Sequence, residues 1–172
     1  MIPDKMEKAF NDQIKHELES AYIYLSMSAW MEKEGYAGMA AWFKAQTMEE
    51  MVHAMKFFDH INERGGKVVL QDLKQLKTEW SSPLEAFEDA VEHEEFISGK
   101  IHELMELAQE EKDYPSMPML HWFVEEQVEE EDTANGVTDR IRMVGDSGNG
   151  LLMIDRELGA RTFNLPAQEE EE

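Results

Sequence analysis

The 172-residue chain is long enough to bury one sizeable core and too short for a comfortable second domain, and its 42% hydrophobic content excludes a disordered chain. A formal charge of −22, from 38 acidic and 16 basic residues, argues against nucleic acid and anionic membrane as partners and favours cations. With no cysteine present, disulfides, thiolate zinc sites, cysteine nucleophiles and cysteine-ligated clusters are all removed, so any metal must be held by Glu, Asp and His.

Helix formers dominate the composition, and Gly and Pro punctuate it into an all-α pattern. The opening MIPDKMEKAF lacks the apolar core of a signal peptide, and no apolar run approaches the ~18 residues of a membrane span, so a cytoplasmic protein is expected. A first helix runs from about Asp4 to Glu34 and stops at Gly35; a second runs from about Gly38 to Arg64 and stops at Gly65-Gly66. Their short link makes them antiparallel. Lys67 to Ser82 show no strong helical periodicity; these 16 or so residues, at ~3.3 Å each, reach ~50 Å, enough to run the ~40 Å length of a neighbouring helix. Ser82-Pro83 reads as the cap and first residue of a third helix reaching about Lys112. Asp113-Tyr114-Pro115 separates it from a fourth helix ending near Gly145. A fifth, short segment from Leu151 to Ala160 presents Leu151, Leu152, Ile154 and Leu158 on one side and is expected to pack at one end of a four-helix bundle. The expected organisation is one domain over 1–165 and a solvated acidic tail over 166–172.

Alternate steps of three and four residues trace the buried seam of each helix. The first gives Phe10, Ile14, Glu17, Ala21, Tyr24, Ser28 and Met31; the second gives Met39, Phe43, Gln46, Glu50, His53 and Phe57. On the third lie Phe87, Val91, Glu94, Ile97, Ile101, Leu104 and Ala108, and on the fourth Leu120, Phe123, Gln127, Glu130, Ala134, Val137 and Ile141. Each seam is broken once, near its middle, by ionisable or amide groups. Buried carboxylates converging on one level repel one another and would have to be protonated unless a cation joins them. The spacing repeats: Glu50 and His53 follow Glu17 by 33 and 36 positions, and Gln127 and Glu130 follow Glu94 by the same 33 and 36. Glu-x-x-His puts a carboxylate and an imidazole on one helical face, and oxygen-rich ligation with one nitrogen suits iron or manganese better than structural zinc.

Through NDQIKHELESAYIYLSM, EEMVHAMKFFDHI, EHEEFI, EKDY and HWFVEEQVEEE, over nearly its whole length, the chain resembles the non-haem ferritins of prokaryotes. The resemblance implies a ferroxidase: one iron held by Glu17, Glu50 and His53, a second by Glu50, Glu94 and Glu130, with Glu50 bridging and Gln127 assisting near oxygen or water. It further implies a third iron site at Glu49, Glu126 and Glu129 with Glu130 shared, and an electron-supplying role for Tyr24 and Trp122, whose other reading is ordinary core packing. Ferrous iron and oxygen or peroxide are the implied substrates, and ferric mineral would be stored in a homo-oligomeric shell of twenty-four subunits.

Gln127-x-x-Glu130 departs from the symmetric Glu-x-x-His pair kept by bacterioferritins and rubrerythrins, which resemble the chain in fold; a weaker second iron site is the expected consequence. Met51 occupies the position of the haem-ligating methionine of bacterioferritins, but methionine is common here, with 13 residues, which weighs against haem. The competing function is a di-iron oxidoreductase, a peroxidase or oxidase with permanent iron; the asymmetric pair and the lack of cysteines for a rubredoxin-like module stand against it. His16, His60, His93, His102 and His121 lie off the seams and are assigned to surface or packing. No phosphate-binding loop or basic aromatic patch supports a nucleotide or nucleic-acid function.

Overall fold

The computed structural model describes residues 1–74 and 77–161. The acidic tail expected over 166–172, and the last residues of the expected domain, lie outside the described residues. Five helices follow in order: α1 (Asp4–Glu34), α2 (Ala37–Glu63), α3 (Pro83–Glu110), α4 (Met117–Val144) and α5 (Gly148–Leu158), with a 3-10 turn at Tyr114–Ser116 before α4. No strand occurs among the described residues.

Local chemistry sets the boundaries. Gly35 ends α1 in the left-handed region at φ 88°, which frees Tyr36 N–H to close back on Met31 O at 2.9 Å. The chain therefore reverses within two residues, and α2 packs antiparallel on α1. Ser82 caps α3 by accepting Glu85 N–H at 3.2 Å, and Pro83 fills the first turn, where its missing N–H costs nothing. Ser147 caps α5 in the same way, accepting Gly150 N–H at 3.3 Å. That cap starts α5 three residues before the expected Leu151, because the apolar pattern marks only the part of the helix that packs. The expected apolar side of α5 needs a second correction: Ile154 and Leu158 are buried and Leu151 is half-buried, but Leu152 faces solvent.

Between the α1–α2 and α3–α4 hairpins, the crossover keeps to α1. Glu7 accepts Lys67 N–H at 3.0 Å; Asn11 donates to Lys67 O at 2.9 Å and accepts from Val69 N–H at 2.6 Å. Further along, Glu19 accepts Lys74 N–H at 3.2 Å and Ser26 donates to Lys77 O at 2.8 Å. A segment without a ladder of its own thus has its backbone groups satisfied by side chains spread along one helix. The result returns the chain to the far end of the bundle, so that α3 runs back beside α1.

The apolar core is in two pieces. One gathers Tyr24, Met31, Phe43, Phe87, Trp80 and Ile141 with α5; the other gathers Phe10, Phe57, Ile97, Leu104 and Phe123. Aromatic contacts tie the hairpins together, including Phe57 stacked on Phe123 at 4.3 Å and Phe43 against Phe87 at 4.6 Å. What separates the two pieces is the polar level described below.

Docking of α5 depends on Gly38. A Cβ there would lie 1.7 Å from the carbonyl oxygen of Asp155, while the Asp155 carboxylate accepts Met39 N–H at 2.8 Å and so satisfies the start of α2. Gly38→Ala is therefore expected to displace α5, lowering stability by about 1–3 kcal/mol. Thermal melting and amide exchange across residues 148–158 check this, and unchanged exchange there would show that the close approach does not hold α5.

Candidate metal centre

Each of the four long helices sends its interrupting seam residues to one level. Glu17, Glu50, His53, Glu94, Gln127 and Glu130 are all buried there, the most exposed being Glu130 at 8%. Glu17, Glu50 and His53 offer ligand atoms that lie within 4.8 Å of one another, and so do Glu50, Glu94 and Glu130. Glu50 belongs to both groups. A third group of the same closeness joins His53, Glu126 and Glu130.

Few partners meet these groups. Gln13 donates to Glu17 Oε1 at 2.8 Å; Tyr24 O–H donates to Glu94 Oε1; Gln127 Nε2 donates to Glu94 Oε2 at 3.1 Å and to Ser98 Oγ at 3.3 Å. Ser98 in turn donates to Glu131. By contrast Glu17 Oε2, both Glu50 oxygens, His53 Nδ1 and Glu130 Oε2 are buried without a hydrogen-bond partner. The orphaned atoms belong to the two groups that share Glu50, and an oxygen-rich set with one imidazole suits a hard divalent ion such as ferrous iron.

The electrostatics match. Burial, with a contribution from Glu94, pushes the Glu17 carboxyl up to about 7, although its bond from Gln13 works the other way. Burial raises Glu94 too, against the pull of the Tyr24 and Gln127 bonds. Glu50 and Glu130 are held well above the carboxylate range by burial and then by neighbouring carboxylates. Burial pushes His53 down to about 4, with Lys56 adding to the effect, so its imidazole is neutral and has a lone pair to give. Without a cation the centre holds protons; with one it can release them.

The remaining expected residues are placed as follows. Glu126 is half-buried within the third group. Glu129 is exposed and joins none of the three groups, and the Glu49 carboxylate is engaged by Arg161 at 2.6 Å. Tyr24 is fully buried, with its hydroxyl on Glu94 and its ring stacked on Phe43 at 5.9 Å. Trp122 lies edge-on to the His53 ring at 5.6 Å, under the Lys56 ammonium. Met51 faces outward at 40% exposure, in a shallow apolar hollow with Leu18, Tyr22, Leu25 and Leu73. Among the off-seam histidines, His60 contacts Ser116 at 2.8 Å, His93 contacts Ser20 at 2.7 Å, His16 packs on Phe96, and His102 and His121 are exposed.

A model of the ferritin-like domain matches residues 7–144. The chain belongs to the ferritin family. A bacterial non-heme ferritin of Bacteroides fragilis is 44% identical over 161 residues, covering 94% of this chain and all of the relative. One from Staphylococcus epidermidis is 38% identical over 164 residues, covering 95% and 99%. Among solved structures, an engineered closed form of Archaeoglobus fulgidus ferritin superposes with a TM-score of 0.94 at 44% identity, covering 95% of this chain and all of that one. The open-pore ferritin of the same archaeon gives 0.92 at 44% identity, covering 94% and 98%.

Four residues around this ferritin-family centre escape a reading by seams: Gln13, Ser98, Glu131 and Arg161. Gln13 and Ser98 do carry a signal, each standing one helical turn from a carboxylate of the centre, Glu17 and Glu94. Glu131 lies beside the seam, one position past Glu130. Arg161 has no signal at all, because α5 brings it back by tertiary packing.

The raised carboxyls make a pH prediction. Between about pH 4.5 and 7 the folded, metal-free chain keeps a proton on Glu17 that the unfolded chain has lost, so stability falls as pH rises through that window. A shift from 4.5 to about 7 is worth on the order of 3 kcal/mol. Glu50, Glu94 and Glu130 act in the same direction; His53 acts oppositely, its depressed value costing stability below 6.5. Metal-free protein is expected to unfold at lower denaturant at about pH 8 than at about pH 6, and Glu17→Gln to flatten the difference. Equal slopes in wild type and variant would show that Glu17 does not carry a buried proton.

Proposed function

We propose that this ferritin-family chain stores iron, oxidising ferrous ions with oxygen or peroxide at the buried centre and depositing ferric mineral inside a homo-oligomeric shell, of twenty-four subunits by likeness to its family. The observation that carries this reading is the pair of three-ligand groups that share Glu50 and in which Glu17 Oε2, both Glu50 oxygens and Glu130 Oε2 have no protein partner. In it, Glu17, Glu50 and His53 take one ferrous ion, and Glu50, Glu94 and Glu130 take the other.

The residues have distinct tasks. Glu50 bridges because both of its oxygens are free and it belongs to both groups. His53, neutral at physiological pH, supplies the nitrogen without having to lose a proton first. Gln13 and Gln127 orient Glu17 and Glu94 by donating one side-chain amide hydrogen bond to each carboxylate. Tyr24 donates to Glu94, and in this reading it passes an electron to the centre and loses its proton to that carboxylate. Each ferrous ion gives up one electron, and the oxidant takes them in pairs. Support for storage as the outcome comes from the non-heme ferritin relatives and from an acidic chain that concentrates cations.

His53→Ala and Glu50→Ala are expected to slow the rapid phase of ferrous oxidation by at least about tenfold, followed by stopped-flow absorbance, while the bundle stays folded because carboxylate crowding is relieved. Size-exclusion chromatography with in-line iron detection after loading in air separates the functions. Storage gives a large particle carrying many irons per chain; a di-iron oxidoreductase gives no more than two. Wild-type oxidation rates in both variants would remove the site assignment.

A further inference from the structure

Beyond Leu158 the chain turns back along α2, and Arg161 reaches the edge of the metal centre. Its guanidinium donates to Glu49 Oε2 at 2.6 Å and to Gln46 Oε1, and its Cζ stands 5.0 Å from the centre of the Trp42 ring. Trp42, Gln46 and Glu49 recur at i, i+4 and i+7, so one stripe of α2 receives the side chain. The Arg161 and Glu49 side chains are only 28% and 27% exposed, and the planar fork is held on two acceptors and an aromatic face. A pair this withdrawn from water is much less screened than a surface ion pair.

Glu49 immediately precedes Glu50, the carboxylate shared by both groups of the centre. Glu49 and Glu129 both press on Glu126, which stands with His53 and Glu130 in the third group. An ion moving outward from His53 and Glu130 through Glu126 therefore meets Glu49 next, and finds it occupied by a guanidinium. Resting on the function proposed above, we infer that Arg161 is a built-in competing cation that holds the outer carboxylate site at Glu49 and Glu126 closed to metal until an ion displaces it. Guanidinium keeps its charge throughout the physiological range, so the competition is set by metal charge and concentration rather than by pH. A divalent or trivalent ion brings two or three charges against one, which lets metal win when the inner sites are filled and lose when it is scarce. Arg161 is a positioning residue in this scheme: it touches the outer carboxylate and neither inner ion.

The test uses zinc, a redox-silent divalent ion, titrated calorimetrically into the full-length protein. Wild type is expected to take two zinc ions tightly per chain and a third weakly; Arg161→Gln strengthens the third about tenfold, the equivalent of one charge-assisted bond, without altering the first two. Adding Glu49→Gln to that variant abolishes the gain, and Arg161→Lys restores part of the wild-type weakness. Amide exchange across residues 148–158 reports whether α5 stays docked. A third affinity unchanged in Arg161→Gln, with α5 in place, overturns the inference and leaves the two-ion centre standing. If wild type binds no pair of ions at all, the storage reading fails instead. Should α5 undock in Arg161→Gln, Arg161→Lys decides, since a third-site affinity as strong there as in Arg161→Gln, with the positive charge kept, also overturns the inference.

Discussion

Everything in this bundle is arranged around four carboxyl groups buried at one level with no counter-charge supplied by the protein. Glu17, Glu50, Glu94 and Glu130 are at most 8% exposed, and bringing a charged carboxylate so far from water costs several kcal/mol each. Two apolar clusters above and below offset that cost, clamping the level with paired aromatics on both sides. Such a layer is tolerable only because it has two electrically acceptable states, protons in the absence of metal and cations in its presence. The raised acidities and the unpartnered oxygens are two expressions of the same constraint.

The crossover follows from that requirement. The second hairpin starts at the end where the first one turns, with Trp80 and Phe87 packed among Met31, Met39 and Phe43, whereas α2 ends beside the start of α1, so a chain leaving α2 must first travel the bundle's length. Residues 67–74 and 77–82 do so against α1, and their backbone groups bond to Glu7, Asn11, Glu19 and Ser26 on the way. Those four polar residues share one flank of α1, beside the seam that carries Glu17. One helix thereby contributes to the centre with one face and fixes the topology with another.

Much of this could be read from sequence because it is periodic. Steps of three and four residues located six buried polar residues of the centre, and the repeated 33 and 36 spacing, with a turn near the middle of each, placed them at one depth. Helix limits set by Gly35 and by Ser82-Pro83 were legible for the same reason, since the cap chemistry is local. What periodicity could not show depends on contacts between distant segments. The Asp155 carboxylate on Met39 N–H, the contact of Gly38 with α5, and the Arg161 guanidinium on Glu49 each join positions more than a hundred residues apart. The misplaced start of α5 and the exposed Leu152 share a cause: a short helix packs by its second half, and its first turn is specified by a serine cap and glycines with no apolar signature.

The departure from internal symmetry has a physical reading in the hydrogen bonds. In the first hairpin, position Glu50 leaves both oxygens bare; its counterpart in the second, Gln127, is neutral and spends its amide on Glu94 and Ser98. Glu94 therefore has both oxygens partnered, by Tyr24 and Gln127, whereas Glu17 has one partner and Glu50 none. A ligand already satisfied by the protein gains less from a metal than a bare one, because binding must share or break existing bonds. The group around Glu17, Glu50 and His53 has the greater unmet demand and the only imidazole of the pair, so under the function proposed above it is the firmer of the two seats. The group completed by Glu94 and Glu130 offers a looser one, beside Glu126. On the proposed function, a gradient of ligand demand across a few ångströms, written by one amide in place of one carboxylate, would give a bound ion a direction in which to leave.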